Sequence, residues 1–471
     1  MSKFTSYTQS SAQNLFSVHP TTTQASATED TAYPANSKAS AIESTAYQTD
    51  LQSAQEPEPI DAPYAGSLQV SVVSTLGMIP VVGATVEISF TGDPDSPIVT
   101  LTTDDSGQTP TIELPTPPLA LSLDSSAEEQ PYSEYNIRVT AEGYEPVLVS
   151  GSEMLADQYS LQPVRMNPID TTEEEKKIVI IPAHTLFGEY PPKIPEDEIK
   201  PMPETGEIVL SRVVIPEYVI VHDGVPEDPT APNYWVRYKD YIKNVASCEI
   251  YSTWPESAIY ANLLVIQSFT MNRVYTEWYR GQGYDFTITS STAYDQKWVY
   301  GRNIFENIDY LVDTIFTNFL SRPGVRQPIF TSYCDGNRVT CNGLSQWGSK
   351  YLAEEGYSPI EIIHYYYGND MYINSADIVS GVPSSWPGYD LSVGSSGEKV
   401  RQLQNQLNRI ARNYPAIPTV TADGIYGPAT AEAVRTFQRI FNLPQTGVTD
   451  YPTWFEVSDI YVGVTRIAEP M

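Results

Sequence analysis

The sequence predicts a multidomain chain: an N-terminal β-sandwich, a mixed α+β middle and a helical C-terminal unit. Three observations carry that prediction. Leu68, Val70 and Val72 alternate with polar residues, as do Val86, Ile88 and Phe90 and then Tyr135, Ile137 and Val139, with turn-forming stretches such as TGDPDSP between them. Alternation at period two, broken by turns, marks strands with one buried face and a small antiparallel sandwich. Ala258, Ala261, Val265 and Phe269 recur at helical steps, so the middle region holds a helix that buries one side. Val400, Leu403, Leu407 and Ile410, then Val434, Phe437 and Ile440, repeat that spacing on either side of a tight turn, DGIYGP at 423–428.

At 471 residues, the chain accommodates about three domains. Residues 1–65 are rich in Ser, Thr, Ala and Gln without hydrophobic periodicity, and read as a disordered leader. Residues 66–167 are the sandwich. Residues 168–212 are acidic and proline-bearing, including EYPPKIPEDEIKPMPETGE, and read as an extended linker. The mixed domain occupies 213–380 and the helical unit 388–471.

The formal charge of −31 is uneven, with −23 on residues 1–210 and −8 on the rest. No basic patch forms, so nucleic acid is not an expected partner. No apolar run reaches the roughly 20 residues that span a bilayer. The N-terminus lacks a charged region followed by an apolar one, so no Sec signal peptide is expected. Cysteine is sparse: Cys248 reads as a buried thiol, while Cys334 and Cys341 either pair or face a cleft. The four histidines, His19, His184, His222 and His364, show no helical metal-pair spacing, and neither a metal nor a cofactor is expected.

The most informative stretch is 245–278, VASCEIYSTWPESAIYANLLVIQSFTMNRVYTEW. Glu249 is expected at the end of a short apolar strand, with Trp254 and Pro255 before a long helix. An acid beside a buried helix start can be held protonated, as a general acid near neutral pH must be. Val245, Glu249, Trp254, Pro255, Ala258 and Ala261 fall in register with a block of the SpoIID-like domain of bacterial peptidoglycan lytic transglycosylases. Two further blocks resemble that family, GLSQWGSKYLAEEGYSPIEIIHYYYG at 343–368 and QKWVYG at 296–301. Residues 66–167 are similar to the carboxypeptidase-regulatory-like sandwich. Residues 388–471, with their D-G-x-Y-G turn and Thr430, are similar to the three-helix peptidoglycan-binding domain. The order of units resembles the clostridial spore-cortex-lytic enzymes, which are germination-specific lytic transglycosylases.

That resemblance implies a proenzyme that cleaves spore-cortex peptidoglycan, with Glu249 as acid and base. The family's second glutamate falls on Ser257, with Glu256 one position earlier. That shift turns a side chain by about 100° on a helix, so Glu256 is either a displaced partner or a solvated first-turn acid. Gln296, Tyr300, Ser345 and Gln346 are the expected cleft contacts to sugar amides and hydroxyls. Asp423 and Tyr426 are expected at the glycan-binding turn, where Tyr426 either lies on a sugar face or anchors the helices. Activation by a subtilisin-like protease is expected in the region Ser211, Arg212, Val213 and Val214. The protein is expected in the spore cortex or coat, laid down from the mother-cell side. Two other functions fit the same features: an N-acetylmuramoyl-L-alanine amidase, and a peptidoglycan-binding spore protein without catalysis.

Overall fold

The alternating residues of the N-terminal half line one core between two sheets, except Phe90, which ends its strand exposed to solvent. The computed structural model describes residues 63–169, 177–200, 212–382 and 386–465. Strand Ala65–Ser74 buries every second residue, including Leu68, Val70 and Val72. It lies between Ile112–Pro115 and Tyr159–Met166. The facing sheet runs, in spatial order, Val99–Thr102, Thr85–Phe90, Ser133–Thr140, Val147–Met154 and Lys177–Ile180. Val86, Ile88, Ile137, Val139 and Val149 from this second sheet join Leu68, Val70 and Val72 in the shared core.

Each sheet takes its last strand from outside the expected 66–167 boundary. Lys177–Ile180 pairs in parallel with Val147–Met154. Ile304–Phe305, deep in the middle region, pairs antiparallel with Tyr159–Met166. Asn303 fixes that junction by bonding the Glu153 carbonyl at 2.9 Å and the Ser160 hydroxyl at 2.8 Å. Glu153 is fully buried and takes two bonds from Arg302, at 2.9 and 2.6 Å. The two regions are therefore built into each other.

This corrects the expected 168–212 linker over its described part. Residues 177–200 are extended but packed: Val179, Ile181, His184, Leu186 and Lys200 are buried. Prolines and acids signal an extended backbone, and that much holds, but they do not show whether a surface receives it. The expected leader lies outside the described residues apart from its last three. Ser211 of the expected cleavage region also lies outside them; Arg212 is exposed and Val214 opens a two-residue strand, Val214–Ile215, paired with Ile378–Val379.

In the middle region, helix Tyr238–Glu249 follows the hairpin formed by Tyr218–His222 and Asn233–Arg237. Its apolar residues Tyr238, Tyr241, Ile242, Val245 and Ala246 recur at three- and four-residue steps, so VASCE continues a helix and is not the expected strand. Helix Glu256–Tyr275 is buried on nearly every side, not one. A helix apolar all round belongs in the centre of a domain. Its polar residues are paired: Asn262 donates to Ser349 Oγ at 2.7 Å, Asn272 to the Pro328 carbonyl at 2.8 Å, and Ser268 accepts from the Leu320 N–H at 2.7 Å.

The C-terminal unit consists of helices Glu398–Ile410, Pro428–Ile440 and Tyr451–Thr465 around Leu403, Leu407, Val434, Phe437 and Trp454. It is tied to the middle region by charge. Lys239 reaches Glu456 at 2.6 Å and Asp459 at 2.9 Å, and Asp313 at 3.2 Å. No helix among the described residues is long and apolar enough to cross a membrane.

Candidate functional site

Glu249 ends helix Tyr238–Glu249, and its side chain is 5 % exposed. A carboxylate at a helix C-terminus faces the negative end of the helix dipole, an unfavourable place for it. Three donors, Lys297, Tyr333 and Gln346, offset that placement, while the Thr185 hydroxyl is spent on the Cys248 carbonyl at 2.7 Å. The Lys297 N–H bonds Oε1 at 2.9 Å and the Tyr333 hydroxyl bonds it at 3.3 Å. Gln346 Nε2 approaches Oε2 at 3.2 Å and also holds the Glu249 carbonyl at 2.9 Å, while the Thr185 hydroxyl lies 3.5 Å from Oε2. Each donor arrives from a different part of the chain, so the acid is fixed by tertiary structure.

The carboxylate opens on a cavity of about 400 Å³, lined among others by Thr185, Tyr190, Lys193, Tyr333, Arg338 and Gln346. Two further acids line it, Glu189 and Asp335. Asp335 is committed to its own loop: its carboxylate accepts from the Val339 N–H at 2.9 Å and pairs with Arg338 at 2.9 Å. That loop is closed by a disulfide between Cys334 and Cys341, with Cα atoms 6.1 Å apart. Cys248 is a free, buried thiol whose pKa is pushed up to about 12 by burial. Among the described residues, no three His, Cys, Asp or Glu side chains converge as metal donors would.

The other expected residues scatter. Glu256 is exposed in the first turn of its helix, where its charge complements the dipole, and it does not share the cavity with Glu249. Gln296 is fully buried, donating to the Ile266 carbonyl at 3.2 Å and accepting from Thr270 at 2.8 Å, so it braces the core. Tyr300 lies on a different cavity of about 560 Å³, where Lys177 donates to its hydroxyl at 2.5 Å. Ser345 caps helix Gln346–Glu354 by accepting from the Gly348 N–H at 2.9 Å. Gln346 alone of these four touches Glu249.

The C-terminal turn is likewise built for folding. Asp423 accepts from the Ile425 N–H at 2.8 Å and from Gln404 at 3.1 Å, with Gly424 at a φ of 78°. Tyr426 is 0 % exposed and donates to the Gly447 carbonyl at 3.0 Å, which makes it the anchor between helices. Ile425, beside it, is 59 % exposed.

Sequence reasoning missed Thr185, Lys193, Lys297 and Tyr333. Lys297 acts through its main-chain N–H, which no side-chain pattern reveals. Thr185 and Lys193 lie in the stretch read as a linker.

Residues 396–454 match the sequence model of a peptidoglycan binding domain. The C-terminal unit is thus a peptidoglycan-binding domain. A stretch of 74 residues is 43% identical to the zinc D-Ala-D-Ala carboxypeptidase of Streptomyces albus G, covering 16% of this chain and 27% of that protein. The chain therefore spans only about a quarter of that curated relative's length. Among solved structures, the Bacillus anthracis TIE protein aligns at 15% identity and a TM-score of 0.17, over 22% of this chain and 17% of its own. GBS52, the minor pilin of Streptococcus agalactiae, aligns at 14% identity and a TM-score of 0.17, over 26% and 49%.

Proposed function

We propose that the chain is a peptidoglycan lytic transglycosylase of the spore cortex, with a SpoIID-like catalytic domain in which Glu249 is the acid and base. The observation that carries this reading is one buried carboxylate, fixed by Lys297, Tyr333 and Gln346, opening on a cavity in a chain that also holds a peptidoglycan-binding domain. In this reaction Glu249 gives its proton to the glycosidic oxygen as the bond to C1 breaks. The resulting carboxylate takes the proton of the muramic C6 hydroxyl, whose oxygen closes onto C1. The products are a free hydroxyl on the departing sugar and a 1,6-anhydro end, and Glu249 is protonated again. No water is consumed, so a second carboxylate of the kind used in ordinary glycoside hydrolysis is unnecessary. Of the two other acids on the cavity, Asp335 is engaged within its own loop and Glu189 is exposed to solvent, while Glu249 is the buried one.

The two facing sheets are read as the pro-domain of a stored precursor, activated by a subtilisin-like protease near 211–214 during germination. The expected location is the cortex or coat, and the substrate is cortex glycan.

End-group analysis of digested cortex tests this directly. Anhydromuramic ends are expected. New reducing ends would indicate a hydrolase, and new amino groups would indicate the amidase. Unchanged glycan from a chain that still binds would indicate a non-catalytic peptidoglycan-binding protein.

A further inference from the structure

The segment joining the two expected regions crosses the Glu249 cavity. Arg338, on the disulfide-closed loop, donates to the carbonyls of Thr185 at 2.6 Å, Phe187 at 3.0 Å and Gly188 at 2.7 Å. Farther along, Glu196 takes two bonds from Arg273, at 2.9 and 2.6 Å. Glu198 pairs with Arg322, and the Lys200 ammonium rests 3.9 Å from the centre of the Phe330 ring. Main-chain bonds run from the Ile194 N–H to the Ala293 carbonyl at 2.7 Å and from the Phe330 N–H to the Glu198 carbonyl at 3.0 Å.

Between these anchors Lys193 turns inward. Its ammonium lies 4.8 Å from the centre of the Tyr333 ring and 5.1 Å from that of Phe269, and it donates to the Asp295 carbonyl. Tyr333 thus shows its face to the Lys193 cation while its hydroxyl bonds the Glu249 carboxylate. Aromatic faces, a carbonyl and a nearby carboxylate all favour positive charge at this point. Burial lowers the pKa of the lysine, and Glu249 and Asp295 oppose that shift.

We propose that residues 183–200 are a strap that walls and narrows the Glu249 cavity from within the chain, with Lys193 occupying a subsite for a cationic ligand. Resting on the reading of Glu249 as a glycan-cleaving acid, the strap then has a chemical meaning. Positive charge develops at the anomeric carbon as a glycosidic bond breaks, and the Lys193 ammonium stands where such charge is favoured. The ligand class admitted on release is a sugar bearing, or developing, positive charge at that point.

The test is calorimetric binding of a protonated 2-acetamido iminosugar to the full chain, with N-acetylglucosamine as the uncharged counterpart. Lys193→Ala is expected to bind the iminosugar at least about tenfold more tightly than the natural chain, with a smaller gain for N-acetylglucosamine. Arg338→Ala, which loosens the strap without altering Lys193, Tyr333 or Phe269, is expected to shift binding in the same direction and to speed amide exchange over 185–193. Equal iminosugar affinity in all three chains overturns the proposal, as does an equal gain for both sugars. Because the readout is binding, it separates the strap from the chemistry. A gain in iminosugar affinity from a chain that, once cut near 211–214, still cleaves no glycan upholds the subsite and rejects the reading of the chain as a glycan-cleaving enzyme.

Discussion

Gln346 and Glu249 lie far apart in sequence, and the amide of the first holds both the carbonyl and the carboxylate of the second. Removing that amide leaves a buried carboxylate short of a donor, at a cost of about 1–3 kcal/mol. Gln346→Ala is therefore expected to lower the unfolding free energy by about that amount and glycan cleavage at least about tenfold, whereas Glu256→Gln, at an exposed first-turn position, leaves cleavage unchanged and lowers stability by only about 0.3–1 kcal/mol. Urea unfolding and dye-release from labelled glycan check both. A Gln346→Ala chain with natural stability and rate would remove Gln346 from the site. A second residue-scale expectation concerns His184, whose ring packs at a tilt of 32° against that of Tyr251 with centres 4.5 Å apart. Burial first, and the charges of Arg302 and Arg338 next, hold its pKa well below the ordinary histidine value. The unfolded chain then binds a proton that the folded one refuses, so this contribution is complete above about pH 6.5 and is lost as pH falls below it. The melting temperature of the natural chain should drop between pH 7.5 and 5.5 more steeply than that of His184→Gln. Equal slopes would show that His184 does not carry the effect.

Among elements, the junction at residues 301–305 decides what a cut before the middle region can do. Strand Ile304–Phe305 completes the N-terminal sheet, and Arg302 buries its guanidinium against Glu153. A full chain cut at a protease site engineered between 200 and 212 should therefore elute as one particle, its two pieces parting only in denaturant. Separate elution would contradict the shared sheet. Glu153→Ala leaves a buried guanidinium without its partner, which costs about 3–5 kcal/mol, and calorimetry should show that loss. These elements also mark where sequence reading succeeded and stopped. The strands of the N-terminal half and the C-terminal helices announced themselves through strict periodicity. Helix Tyr238–Glu249 was half-hidden because its last residues, VASCE, followed by the extended Ile250, resemble a short strand. The partners of Glu249 were largely invisible, since a main-chain N–H from Lys297 and a tyrosine from the short, distant strand Tyr333–Cys334 meet only when the fold is complete. Gln346 was legible as a polar residue in a family block, but its role as a brace for the acid was not.

At the scale of the whole molecule, three units share one arrangement: two facing sheets, a central helical region with a buried acid, and a peptidoglycan-binding domain joined to it through Lys239. Residues 388–471 are expected to sediment with insoluble peptidoglycan by themselves, because they hold the whole stretch, 396–454, that matches a peptidoglycan binding domain. Retention in the supernatant would move the glycan contact to the central region. The −23 charge on residues 1–210 opposes the approach of anionic glycan in the intact chain, and salt should weaken that opposition. The most direct measurement of the central claim compares cortex glycan treated with the chain cut near 211–214 and carrying Arg338→Ala, which loosens the strap, and with the same cut chain carrying Glu249→Gln as well, both confirmed as folded and bound to glycan. Anhydromuramic ends from the first and none from the second are the predicted result; equal amounts of those ends from both would contradict the assignment of Glu249.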